Sequence, residues 1–234
     1  MKHYLEDCST VLSETGSTGD GLTASEVERR LTENGLNKLA EGKKESLLAR
    51  FFKQMADPMI LVLIAAAAIS GVTAALAKES FADVFIILFV VIINAVLGVY
   101  QESKAEKAIE ALREMSAATS KVLRGGTVTQ VKSEELVKGD IVLMEAGDAV
   151  PADVRILESA SMQVEEAALT GESVPITKTA DAIPNAKESD IPLGDRKNMA
   201  YMGSTVVYGR GKAVVTATGM DTEMGKIANA IEQA

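Results

Sequence analysis

PMILVLIAAAAISGVTAALA, Pro58 to Ala77, carries no charged side chain from end to end. A run of roughly 20 such residues is long enough to cross a hydrocarbon layer of about 30 Å as a helix. A short polar break, Lys78-Glu79-Ser80, follows it. The second apolar run, Phe81 to Tyr100, has Asp83 as its one charge, close to the break. Two spans joined by so brief a link must form an antiparallel hairpin that returns both ends to the same side. The competing reading, two buried core helices of a soluble protein, is opposed by the near absence of charge in both runs.

Basic residues flank the hairpin. Lys43, Lys44, Arg50 and Lys53 precede it, and Lys104, Lys107, Arg113, Lys121 and Arg124 follow, while Lys78 alone lies in the turn. The positive-inside rule therefore predicts that both larger polar segments are cytoplasmic. Ala67, Gly71 and Ala75 recur every four residues, a spacing that predicts one face of close approach; Asn94 could hydrogen-bond to a neighbouring helix. Before the hairpin, Ser46 to Ala56 predicts an amphipathic helix lying along the membrane surface. Leu47, Leu48, Phe51, Phe52 and Met55 form its apolar face, Arg50, Lys53 and Gln54 the other, and Asp57-Pro58 bends the chain into the span. A helix packed on protein would show the same pattern. Past the second span, Gln101 to Glu114 continues as a charged helical stalk, with pairs such as Lys107 and Glu110.

The whole chain has 234 residues, 47% of them hydrophobic and 24% charged, with net charge −9. An acidic balance without a basic patch argues against nucleic acid as a partner. The lone Cys8 excludes an internal disulfide, and no Cys-x-x-Cys pair is present for soft metals. The lone His3 is expected to be a solvated side chain in a frayed terminus. The first residues lack the apolar core of a cleaved signal peptide. Thr23-Ala24-Ser25-Glu26 fits a capping box, with Leu22 and Val27 as its staple, for a helix ending near Asn34-Gly35. Residues Ser9 to Asp20 are expected to be a loop.

From Ser120 onward the apolar period shortens. Lys121 to Arg124 and Thr127 to Val131 flank Gly125-Gly126, a hairpin signal. Further strands are expected at Asp140–Glu145, Val154–Leu157, Met162–Val164, Val174–Lys178, Ala200–Val207 and Lys212–Thr218, suggesting a compact sandwich or jelly roll. Ala180 to Lys197, polar with two prolines, predicts a surface excursion. Gly225 to Gln233 predicts a helix leading out of the domain. The division expected is thus 1–45, an N-terminal helical segment; 46–118, surface helix, membrane hairpin and stalk; and 119–234, a β-rich domain. Within the last lies Leu169-Thr170-Gly171-Glu172-Ser173, which holds a carboxylate out on a tight turn. An isolated Thr-Gly-Glu is usually only a turn. Asp148, Pro151 and Asp153 are assigned to turns and the fold.

These stretches resemble the N-terminal third of P-type ATPases, most closely their calcium-transporting branch. The resemblance is carried by GLTASEVERRLTENGLNKL, FFKQMADPMILVLIAAAAISG, LVKGDIVLMEAGDAVPADVRIL, EEAALTGESVPITK and NMAYMGSTVVYGRGKAVVTATGMDTEMGKIA. Glu165 stands where many relatives carry Asp, which keeps the charge. The resemblance implies a membrane hairpin joined to an all-β, distorted jelly-roll actuator domain. It further implies that Glu172 orients the water that hydrolyses an aspartyl phosphate, that Thr170 and Ser173 hold the loop, and that Gly171 admits the phosphate to the backbone. ATP, Mg2+ and a transported cation, Ca2+ by this likeness, belong to the whole pump. The partners implied are the lipid bilayer and the phosphorylation domain, nucleotide domain and remaining membrane helices. No Asp-Lys-Thr-Gly-Thr phosphorylation site occurs here, so this stretch alone is expected to be inactive and to be part of a longer chain. A sodium, proton or magnesium pump would look alike in this region, whereas a heavy-metal pump is disfavoured because no Cys-x-x-Cys module precedes the hairpin. The reading from another class is a truncated membrane protein acting as regulator or scaffold.

Overall fold

The computed structural model describes residues 2–40, 46–78, 80–115, 118–183 and 191–232, with the side chains of 110–115 and 232 left aside. Lys43, Lys44, Glu79, the centre of the polar excursion and the side chains of Glu110 and Arg113 therefore lie outside the described residues. The chain divides into two compact units: Met1–Ala40 with Ala117–Ala234, and Glu41–Ser116.

The second unit is helical. Helix α3 (Leu47–Met55) starts at Ser46, whose hydroxyl accepts from the Ala49 amide at 3.2 Å. Asp57 caps α4 (Pro58–Ala77) in the same way, with Pro58 in the first turn, where a missing N–H is harmless. Helix α4 ends at Lys78 in a left-handed conformation, and α5 (Ala82–Met115) runs on without interruption through the second span and the stalk. Both α4 and the first 28 residues of α5 are long and apolar enough to cross a membrane. Their large side chains, Leu76 at 82% and Phe85 at 71% exposure among them, are uncovered, as a lipid solvent permits.

Two details differ from the sequence expectation. The buried face of α4 is Ile60, Ala67 and Ala74, a seven-residue step, and Ala75 is exposed. A seven-residue repeat keeps one seam against an antiparallel neighbour over several turns; a strict four-residue repeat drifts off it. Val91 and Ala95 of α5 meet that seam, while Asn94 is exposed. On α3 the split is not apolar against polar. Phe51 and Met55 pack on the spans and Arg50 is buried with them, its Nη1 2.6 Å from Glu106 of α5; Leu47, Leu48 and Phe52 are the exposed side chains. A charge on the packed side is accommodated because its partner lies on the neighbouring helix.

The first unit is built on a seven-stranded antiparallel sheet. In order across it run β2 (Thr127–Lys132), β1 (Thr119–Arg124), β3 (Ile141–Glu145), β7 (Thr205–Ala217), β4 (Asp153–Glu165) and β5 (Ile176–Thr177), with β6 (Met199–Ala200) also on β4. Gly125 and Gly126, with φ of 54° and 75°, close the β1–β2 hairpin as the paired left-handed residues of a tight turn must. Four of the predicted strands merge into two long ones. Strand β4 absorbs Val154–Leu157 and Met162–Val164, and β7 joins the end of Ala200–Val207, from Thr205 on, to Lys212–Thr218 as far as Ala217, while Ala200 lies in β6. The interruptions between them are bulges within one bent ribbon, marked by register shifts near Ile156 and between Ala160 and Val164. Gly209, φ 72°, allows this because any Cβ there would run into the carbonyl oxygens of Ala160 and Ser161. The core comprises Val122, Leu136, Val142, Ile156, Met162, Val164, Val206, Val215 and their neighbours.

The N-terminal stretch packs on this sheet. Helix α1 (Cys8–Glu14), capped by Asp7, occupies what was expected to be loop; only Val11 is buried in it, too little to give a periodic signal. Helix α2 (Ala24–Asn34) begins at Thr23 and stops at Gly35. Only half of its capping box forms, since Glu26 turns its carboxylate to Arg29 and Arg30. His3 is 8% exposed and 3.1 Å from Glu14 rather than solvated. The anchor nearby is Arg155 of β4. Fully buried, it donates to the carbonyls of His3 (3.2 Å), Glu6 (3.0 Å) and Ala180 (3.0 Å). Asn198 adds Nδ2 bonds to the carbonyls of Tyr4 and Asp181, each 2.9 Å. Helix α7 (Glu223–Glu232) starts at Asp153, whose two carboxylate oxygens accept from the amides of Met202 (3.0 Å) and Glu223 (2.7 Å).

Candidate functional site

The Thr-Gly-Glu-Ser run lies in a loop that leaves the end of β4 and returns beside it. Val164 of β4 pairs with Ile176 of β5, and the Lys178 amide donates to the Met162 carbonyl at 2.8 Å. Between these ties the chain makes one helical turn, α6 (Ala167–Thr170). Gly171 ends it at φ 76°, ψ 0°, its amide bonded to the Ala167 carbonyl at 2.9 Å. A left-handed residue at a helix end favours glycine. A Cβ at Gly171 would meet nothing within 4 Å, so backbone conformation alone, within this chain, calls for the glycine.

Thr170 latches the turn in two directions. Its hydroxyl donates to the Glu166 carbonyl at 3.1 Å and accepts from the Glu172 amide at 3.2 Å. The direction in which Glu172 leaves the backbone is thereby set by its neighbour's side chain. Gly171, Glu172, Ser173, Val174 and Pro175 are all exposed, Val174 at 74%. Leu169 faces inward to a cluster of Tyr4, Met199 and Tyr201, which the guanidinium of Arg196 borders 4.4 Å from the Tyr4 ring. The arrangement is an open carboxylate carried on a stiff footing. Chemically it can accept a proton from, or orient, a water at the edge of a partner.

Beneath the loop lies a pair that sequence reasoning did not single out. Lys178 Nζ is 2.7 Å from Glu166 Oε1, and both side chains are fully shielded from solvent. Burial pushes the Glu166 carboxyl up and the Lys178 ammonium down, and their attraction opposes both shifts. Glu166 Oε2 has no hydrogen-bond partner among the described residues. Asp153, nearby in the fold, is also raised by burial, to about 6. A lysine closing the otherwise β-patterned Val-Pro-Ile-Thr-Lys run, with a second Glu just before the turn, was the available signal. It shows only once the two ends are known to meet.

A family profile for the P-type ATPase actuator domain matches residues 114–232, and one for the N-terminus of cation transporters and ATPases matches residues 3–70. A calcium-transporting ATPase of Bacillus subtilis (strain 168) is 47% identical over 218 residues, 93% of this chain and 24% of that protein. Calcium-transporting ATPase 1 of Lactococcus lactis subsp. lactis is 43% identical over 234 residues, 100% of this chain and 26% of that protein. A probable cation-transporting ATPase F of Mycobacterium tuberculosis (strain H37Rv) is 44% identical over 207 residues, 88% of this chain and 22% of that protein. The chain thus spans about a quarter of the length of these relatives. The hairpin of apolar helices, the bent antiparallel sheet and the two profile matches converge on one answer: the chain belongs to the P-type ATPases, and its sheet unit is their actuator domain.

Proposed function

We propose that this chain provides the actuator and first membrane hairpin of an ATP-driven calcium pump, with Glu172 orienting the water that hydrolyses the pump's aspartyl phosphate. The observation that supports it is the exposure of Glu172 on a loop whose base is fastened at both sides. In the step proposed, a water oxygen bonds to phosphorus as the acyl oxygen departs. The Glu172 carboxylate takes the water's proton, and the partner's carboxylate leaves free. Thr170 holds the loop, Gly171 gives its backbone the left-handed turn, and Ser173 lies exposed beside Glu172. On this reading ATP and Mg2+ are bound by other parts of the pump.

Calcium is favoured by the names of the Bacillus and Lactococcus relatives; the mycobacterial one, named only for a cation, keeps sodium, proton or magnesium open. In the full-length pump, Glu172→Gln should leave phosphoenzyme formation from ATP intact and slow its decay by about 10²- to 10⁴-fold, the range of general acid–base groups. Decay at the parent rate would remove the assigned role. Both soluble segments are assigned to the cytoplasm by the basic residues flanking the hairpin. A protease added outside right-side-out vesicles should therefore spare the Lys121–Lys178 region, and cleavage there would reverse the topology.

A further inference from the structure

We infer that Glu166 and Lys178 are positioning residues for Glu172: their buried ion pair clamps the two stems of the loop and so fixes where its exposed carboxylate stands. The inference rests on the role proposed above for Glu172. Glu166 is the last residue before α6 and Lys178 the first after β5, so one bond 2.7 Å long closes a loop of thirteen residues counted from one to the other. The same Glu166 offers its backbone carbonyl to the Thr170 hydroxyl, which in turn receives the Glu172 amide. A short chain of contacts thus runs from the ion pair to the amide of the residue that would do the chemistry. Lys178 is held independently, its carbonyl by the Ser159 hydroxyl at 2.7 Å and its amide by Met162, so the ammonium is a fixed post.

A pair placed only for stability would be a poor choice here. Removing two charges from water is not repaid by their attraction alone, and a neutral pair of similar shape often serves the fold as well. Glu166 Oε2 is buried without a partner among the described residues, which makes the pair less favourable still as a mere staple. What an ion pair supplies and an apolar contact does not is direction. A displacement of about 1 Å at a reacting group can lower a rate about 100-fold.

The test uses the full-length pump with Lys178→Met, the neutral pair Glu166→Gln/Lys178→Met, and each combined with Glu172→Gln. The neutral pair is expected to form phosphoenzyme from ATP at the parent level and to lose it about 10- to 100-fold more slowly. Added to Glu172→Gln, it should slow decay no further, because it acts through that side chain. Parent-rate decay in the neutral pair, or slowdowns that multiply in the combined variant, would overturn the inference. So would a complete lack of phosphoenzyme in every Lys178 variant, which would assign the pair to the fold at large. If Glu172→Gln alone decays like the parent, the fault lies instead with the role given to Glu172.

Discussion

The two units are held together by opposite means. In the sheet unit, charged and polar side chains are buried and aimed: Arg155 at a fan of carbonyls, Asp153 at two amides, Lys178 at Glu166. In the helical unit the buried set is small and mostly apolar, Ile60, Ala67, Ala74, Val91 and Ala95, with an ion pair between Arg50 and Glu106. Directional bonds specify a single arrangement, because each is lost with a small rotation. Smooth apolar contacts between helices tolerate sliding. The sheet unit is thus specified by aimed polar bonds, and the hairpin by apolar packing.

The comparison can be broken most decisively at Arg155. Arg155→Leu should destabilise the sheet unit by about 3 kcal/mol or more, since several buried carbonyls lose their donor together. Thermal unfolding would report it, and proteolysis should open residues 2–8 first; an unchanged midpoint would show that these bonds do not hold the shape.

Asp153 sharpens the same point through pH. Its carboxyl is raised to about 6 from 3.8, because burial disfavours the charged form more than the two amides favour it. The folded protein therefore binds this proton more tightly than the unfolded chain. Its contribution to stability is complete below roughly pH 4 and is lost as pH climbs through about 6. Asp153→Asn should flatten that decline. Its cost should show at low pH, where Asp153 is uncharged, because the carboxamide nitrogen cannot accept from whichever of the Met202 and Glu223 amides it faces. A slope between pH 4 and 6 that survives the substitution would exonerate Asp153.

The smallest effect is expected in the helical unit. Glu106 is 41% exposed, so Glu106→Gln should shift stability by at most about 1 kcal/mol. A loss as large as that at Arg155 would erase the contrast between the units.

What the sequence made legible follows the same division. The spans, the stalk and the Gly125-Gly126 hairpin are written in local pattern, since charge-free length and paired glycines act on neighbouring residues. The run from Leu169 to Ser173 was likewise visible as a turn bearing a carboxylate. What escaped was non-local. Nothing periodic announces that Arg155 gathers His3, Glu6 and Ala180, or that Lys178 reaches back to Glu166. The merging of four strands into β4 and β7 escaped for a related reason. Ser161 and Gly209 look like ends until each is seen opposite the other across the ribbon.

Helix α5 has no break from Ala82 to Met115. Each residue of an α-helix turns its successor by about 100° and advances it by about 1.5 Å. One residue inserted between Gln101 and Ile109 would leave the apolar span untouched yet rotate the remaining turns of α5 by about 100°, more than a quarter turn. Seven inserted residues would restore the heading to within about 20° while lengthening the rod by roughly 10 Å. Insertions of one and of seven residues would thus separate the phase of the helix from its length.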